Sequence, residues 1–107
     1  MIKLPVSVTI LSHEYAVVVL PRDDKLLEGA HGRVDFEGQQ IVLAEDLKGN
    51  FARETLLHEV LHIIDYYTAG ANDQVKERDI QRLSAVLYDT MQNNPLLLKR
   101  IFTLRSS

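Results

Sequence analysis

The sequence predicts a small α+β domain in which an antiparallel sheet of about three or four strands is followed by three helices. The chain has 107 residues, 46% of them hydrophobic, which is enough for one core and too few for two. In the first half, short apolar segments are separated by polar turn residues, and Pro5, Ser7 and Thr9 alternate with apolar residues, which is typical of strands. From about residue 50, apolar residues recur every three or four positions, which is the period of a helix. We therefore expect a single domain over residues 1–107.

The strands are expected in two pairs, each joined by a polar turn. Residues 12–14 join the first pair, and residues 37–38, which include a glycine, join the second pair. A run of proline and charged residues at 21–25 separates the pairs. The expected strands are residues 6–11, 15–20, 32–36 and 41–44.

Three helices are expected in the second half. The first begins near Asn50, a favourable N-cap, and closes at Gly70. The second starts from a cap at residue 72 or 73, returns antiparallel to the first and ends near residue 92. A third, short helix follows Pro95 and spans residues 96 to about 104. The residues of the second helix expected to face inward are Val75, Ile80, Leu83, Val86, Leu87 and Met91.

Composition argues against several classes of function. The net charge is −3 and the basic residues are scattered, so we expect no nucleic-acid partner. No run of about 18 apolar residues and no secretion signal is visible, so we expect no membrane partner and a cytoplasmic location. The chain has no cysteine, which leaves His, Asp and Glu as ligands for any zinc ion.

One stripe of the first long helix is not apolar, and it contains the run His58-Glu59-Val60-Leu61-His62. Two histidines four positions apart on a helix project side by side, so both imidazoles can reach one cation. Glu59 lies on the flank of that face, where it can take a proton from a metal-bound water. A pair of satisfied core histidines is the alternative, but burying two histidines and a glutamate between apolar flanks is costly without a partner. We therefore predict one bound zinc ion.

A third protein ligand is expected from the second helix. Glu77 fits best because it is the only glutamate after Glu59 and because it shares a stripe with Ile80, Ser84 and Leu87. Glu77 can instead be an ordinary first-turn acid that favours the helix dipole. The other candidate ligands are Asp73 and Asp65.

The segment from Thr55 to His62, with its preceding strand and following Glu-bearing helix, resembles small metallopeptidases encoded by phages and prophages. Such an origin implies the cytoplasm of the host cell. More distantly, the chain resembles a minimal gluzincin, the zincin class that includes thermolysin. At thermolysin's spacing the third ligand would fall on Arg82, which cannot ligate, so a shorter helical hairpin using Glu77 is implied. The metzincin pattern does not fit, because Asp65 and Thr68 stand where it needs glycine and histidine.

The resemblance implies a zinc-dependent peptidase that acts on a peptide or protein substrate. Zinc would lower the pKa of a bound water, and Glu59 would accept the proton and pass it to the leaving amine. Tyr66, one turn beyond His62, is the first candidate donor to the developing oxyanion. The donors considered after it are Tyr67, His13 and His31. An extended substrate is expected to pair with a sheet edge formed by residues 39–44.

Two other functions are compatible with the sequence. In the first, zinc only stabilises a non-catalytic module that binds a protein partner. The apolar side chains of the third helix can dock on such a partner, although we expect them to pack on the domain's own core. These side chains are Leu97, Leu98, Ile101 and Phe102. In the second, the helical hairpin holds no metal, and chelators leave its stability unchanged.

Overall fold

A computed structural model describes residues 3–69 and 75–102, which form a four-stranded sheet followed by three helices. This architecture confirms the predicted α+β class. A short 3₁₀ turn, Lys25–Leu27, lies between the second and third strands. The strands are β1 Ser7–Ile10, β2 His13–Leu20, β3 Gly32–Asp35 and β4 Gln40–Ala44. The helices are α1 Gly49–Ala69, α2 Glu77–Asn93 and α3 Pro95–Ile101.

The sheet is mixed, so the prediction of an antiparallel sheet was wrong in one pairing. The strand order is β1-β2-β4-β3, and β2 pairs with β4 in parallel, with Val18 opposite Val42. After β2 the chain passes through the 3₁₀ turn to the outer edge, and β3 then forms a hairpin with β4. Strand β4 is therefore central. The expectation that residues 39–44 form a free sheet edge was wrong, because β3 occupies that edge.

The first hairpin turns more tightly than its sequence suggests. Leu11 and Ser12 both adopt positive φ angles, of 49° and 74°, and β2 already begins at His13. Positive φ at both central residues is the geometry of a two-residue turn whose twist matches the flanking strands. Such a turn usually carries asparagine, aspartate or glycine instead of leucine and serine, which explains why the sequence pattern placed it one to two residues later.

The core lies between the sheet and one side of α1. Ile41, Val42 and Leu43 of β4 are almost fully buried, as expected for a central strand. Tyr15 from β2 and Ile63 from α1 are also fully buried. This packing fixes α1 across β3 and β4, and it leaves the opposite side of the helix free to face α2.

Helices α2 and α3 are less buried than the sequence suggests. Ile80 and Ser84 of α2 are buried. The predicted inward orientation was wrong for three residues, which are 41%, 45% and 60% exposed: Val75, Leu83 and Val86. Only one stripe of α2 contacts α1 in the described structure, and this accounts for the exposure. No residue of α3 is buried, and the expected packing of this helix on the core was also wrong.

Two predicted helix boundaries differ from the structure. The second helix was expected to start from a cap at residue 72 or 73, but residues 75 and 76 are not helical and α2 begins at Glu77. The third helix was expected to reach about Leu104, but it ends at Ile101, because the backbone of Phe102 is extended. Gly70, the predicted end of the first helix, and residues 72 and 73 themselves lie outside the described residues. Among the described residues, no helix combines the length and the apolar character needed to cross a bilayer.

Gly32 allows β3 to approach α1 closely. A Cβ atom at this position would lie 2.9 Å from Cδ2 of Leu43 and 3.0 Å from Cγ2 of Thr55. Both neighbours are buried and cannot move freely. Thr55 lies one helical turn before His58, so this contact sets the distance between the edge strand and the histidines.

Replacing Gly32 with alanine is therefore expected to destabilise the fold by about 1–3 kcal/mol, because the added methyl group overpacks this contact. The change in the free energy of unfolding can be measured by urea denaturation. Ala16→Val, at an exposed position of β2, is the control and should change stability by less than about 0.5 kcal/mol. Equal stability of Gly32→Ala and the native chain would show that β3 can move away from α1 without cost.

Candidate metal centre

His58 and His62 lie side by side on α1, as the four-residue spacing predicts. Their Nε2 atoms are 3.1 Å apart, and both side chains are largely buried, with 16% and 27% exposed. The helix turns both rings toward the first turn of α2. Two ring nitrogens that converge in this way form two adjacent corners of a coordination site.

Glu77, the first residue of α2, supplies the third group. Its Oε1 lies 2.7 Å from Nε2 of His58, and its Oε2 lies 2.6 Å from Nε2 of His62. One candidate ligand atom from each of the three residues lies within 4.8 Å of the others. The structure therefore brings together the three residues that the sequence predicted as metal ligands.

The three residues fit a divalent cation such as zinc in both chemistry and geometry. Two imidazole nitrogens and one carboxylate oxygen are a common zinc ligand set, and three protein ligands leave a position open. Tetrahedral zinc separates its ligand atoms by roughly 3.3 Å. The two Nε2 atoms are 3.1 Å apart, and the oxygens of Glu77 lie 2.7 and 2.6 Å from them, so the cluster is somewhat tighter than a zinc site. Glu77 is 64% exposed, so a small rotation of its side chain can provide the difference.

Glu59 is the buried carboxyl group beside this cluster. It is only 6% exposed, and its Oε2 lies 4.0 Å from Nε2 of His58. Burial raises the pKa of Glu59 to about 7, and the negative charge of Glu77 contributes to the increase. A carboxyl group with a pKa near neutral can both accept and return a proton at physiological pH.

The other two candidate ligands have different positions. Both carboxylate oxygens of Asp65 accept a hydrogen bond from the backbone N–H of Val75, at 3.1 and 3.2 Å. Asp65 therefore binds the backbone at Val75, two residues before Glu77, and it is not part of the cluster. Asp73 lies outside the described residues.

Two open cavities flank the cluster, and both are bounded by Gly32, Glu59 and Glu77. The cavity on the His62 side has a volume of about 420 Å³ and is lined by Arg33, Phe36 and Tyr66 among others. The cavity on the His58 side, of about 330 Å³, includes His31, Phe51 and Ser84. Gly32, the first residue of β3, borders both cavities, and Arg33 and Val34 of the same strand line only the larger one. The sequence pattern did not identify the walls formed by Arg33, Phe36 and Phe51, because only the fold brings them to the helix.

Tyr66 and His31 line these cavities, on opposite sides of the cluster. The ring of Tyr66 stacks on Phe36 with centroids 4.2 Å apart and remains 44% exposed. Nδ1 of His31 lies 2.9 Å from Nη1 of Arg22. Because a guanidinium group can only donate, Nδ1 of His31 accepts this hydrogen bond. The neutral ring of His31 therefore carries its proton on Nε2. Each of these residues thus carries a donor group and lines a cavity beside the cluster.

Tyr67 and His13 belong to a different part of the structure. The hydroxyl groups of Tyr67 and the fully buried Tyr15 lie 2.7 Å apart, and the ring of His13 stacks on Tyr67 at 4.1 Å. Burial and the neighbouring tyrosines raise the pKa of Tyr15 above its usual value, so Tyr15 is neutral at physiological pH. These contacts join the end of α1 to the sheet, which is a structural role.

Tyr67→Phe is expected to destabilise the protein by about 1–3 kcal/mol, because it leaves the buried hydroxyl of Tyr15 without this partner. The double variant Tyr15→Phe with Tyr67→Phe should cost less than the sum of the two single changes, and thermal unfolding can measure all three. Tyr66→Phe, in which the altered hydroxyl is exposed, serves as the control. Strictly additive effects would show that the two hydroxyl groups do not interact.

No family model, curated protein or solved structure matches this chain. The residues of the cluster and their geometry are therefore the basis for inferring its function.

Proposed function

We propose that this chain is a zinc-dependent peptidase. The observation that carries the proposal is the convergence of His58, His62 and Glu77 within 4.8 Å, with the buried carboxyl group of Glu59 next to them. A structural zinc site usually has four protein ligands, whereas a catalytic site has three and leaves one position open. Assignment to the gluzincin class is part of this proposal, and it rests on the His-Glu-x-x-His motif followed by a glutamate on the next helix.

Each residue has a distinct task in this proposal. The two histidines and Glu77 hold the ion, which when bound acts as a Lewis acid toward a carbonyl group and toward water. Glu59 accepts a proton from the attacking water and later donates it to the leaving amine. Its 4.0 Å distance from Nε2 of His58 places it beside the metal position without making it a ligand. Tyr66 is the proposed donor to the developing oxyanion.

Strand β3 is the proposed binding edge for the substrate. It pairs with β4 on one side, and among the described residues no strand pairs with its other side. An extended peptide can add to such an edge through backbone hydrogen bonds, while its side chains enter pockets on either side. The larger cavity, which is lined by Gly32, Arg33 and Val34 of this strand, is the proposed pocket for one such side chain. The aromatic pair Phe36 and Tyr66 favours an apolar side chain in the larger cavity.

The alternative function is a zinc-stabilised module that binds a protein partner. The exposed apolar side chains at α3 favour it, since no residue of this helix is buried in the described structure. The exposed residues are Leu96, Leu97, Leu98, Ile101 and Phe102. In this alternative Glu59 has no chemical task, so its replacement leaves the biological activity unchanged.

Elemental mass spectrometry on protein purified without an affinity metal column is the first test. We expect about one zinc ion per chain, as three converging ligands require. Zinc-loaded protein should then cleave members of a mixed peptide library, and the products can be identified by mass spectrometry. Native protein that folds but takes up no added zinc would rule out the proposal. Zinc-loaded protein that cleaves no peptide would favour the binding module.

A further inference from the structure

Ser84 is a buried hydroxyl group on the face of α2 that packs against α1. It is 1% exposed and lies two helical turns after Glu77, with Ile80 between them on the same stripe. Its Oγ lies 3.4 Å from Nδ1 of His58 and 3.1 Å from the carbonyl oxygen of Gln81. Helix α2 therefore contacts His58 at both of its ring nitrogens, through Glu77 at Nε2 and through Ser84 at Nδ1.

The proton positions follow from the chemistry of these groups. A metal ion bound by Nε2 of His58 uses the lone pair of that nitrogen, so the ring proton must be on Nδ1. The carbonyl group of Gln81 can only accept, so the single hydroxyl proton of Ser84 is donated to it. The oxygen of Ser84 is then free to accept the Nδ1–H of His58. The result is a series of two hydrogen bonds, in which His58 donates to Ser84 and Ser84 donates to the backbone of α2.

We propose that Ser84 is a positioning residue that holds His58 in the Nδ1–H form and fixes the orientation of its ring for metal binding. This inference rests on the proposed zinc site. Metal-binding histidines usually donate their second ring N–H to a nearby acceptor, and removing that acceptor weakens metal binding 10- to 100-fold. The 3.4 Å separation is long for such a bond, so the expected effect lies at the lower end of this range.

The test compares the zinc affinity of four proteins by competition with a chelator. Ser84→Ala should bind zinc about 10-fold more weakly than the native chain, while Ser84→Thr, which keeps a hydroxyl group, should restore most of the affinity. Thr90→Ala is the matched control. Thr90 also donates its hydroxyl to a carbonyl group of α2, that of Val86, at 2.7 Å. It lies near the C-terminal end of α2, six residues after Ser84 and away from His58.

A second measurement separates positioning from a general effect on stability. In the zinc-loaded native protein, the proton NMR spectrum should contain a slowly exchanging ring N–H signal from His58. Ser84→Ala should lose this signal, and Thr90→Ala should keep it. Equal zinc affinity and an unchanged ring N–H signal in Ser84→Ala would overturn the proposed positioning role of Ser84 but would leave the proposed zinc site standing. Absence of zinc binding by the native chain would instead overturn the proposed function.

Discussion

His62→Ala is expected to remove bound zinc from the purified protein, while the native chain retains about one ion per molecule. The variant keeps only His58 and Glu77, and two ligands on separate helices cannot hold the ion at ordinary zinc concentrations. Because the ion joins α1 to α2, its loss should also lower stability. At a zinc concentration 1,000-fold above the dissociation constant, binding contributes about 4 kcal/mol to the free energy of unfolding.

The measurement is thermal unfolding with zinc and with excess chelator. The native chain should show a large difference in melting temperature between the two conditions, and His62→Ala should show none. His13→Ala is the matched control, because it removes a histidine that lies outside the metal centre and stacks on Tyr67. This variant should keep the zinc-dependent difference. A zinc-dependent increase in the melting temperature of His62→Ala equal to that of the native chain would contradict the assignment of this ligand.

Glu59→Gln is expected to keep zinc and fold but to reduce peptide cleavage by roughly 10²- to 10⁴-fold, which is the usual contribution of a general base. Glutamine has nearly the same size as glutamate and cannot accept the proton. The comparison requires a substrate identified with the native enzyme. Equal rates for the two proteins would remove Glu59 from the mechanism and would favour a binding function.

The same variant should change how stability depends on pH in the metal-free protein. The pKa of Glu59 is raised to about 7, so the folded state binds this proton more tightly than the unfolded chain does. The stabilising contribution is complete below about pH 4.5 and is lost as the pH rises toward 7. Its size is up to about 3 kcal/mol, since one pKa unit corresponds to about 1.4 kcal/mol.

Urea unfolding at pH 5 and pH 8 measures this contribution. The native chain should lose more stability between the two pH values than Glu59→Gln does, and the difference isolates Glu59 from the titrating histidines. Bound zinc should reduce the difference, because a nearby positive charge favours the ionised carboxylate. Identical pH profiles for both metal-free proteins would show that burial does not shift the pKa of Glu59.

Some features of the sheet could be read from the sequence and others could not. Apolar segments bounded by polar turn residues located all four strands, because strand and turn preferences depend on local backbone geometry. Strand order and direction depend on contacts between distant segments, and alternation is the same in parallel and antiparallel pairs. The continuous apolar run of residues 41–44 was an available signal, since strands buried on both faces have this composition.

The sequence by itself identified the candidate metal ligands. Helix periodicity places His58 and His62 on one face, and the stripe that contains Ile80 and Ser84 turns Glu77 toward them. These relations hold because the spacing of side chains along a helix is set by hydrogen bonds within the helix. Only the tertiary structure decided which strand borders the site, that Tyr67 pairs with Tyr15 and that α3 stays exposed. Those outcomes depend on long-range packing, in which each element competes with all others for the same buried surface.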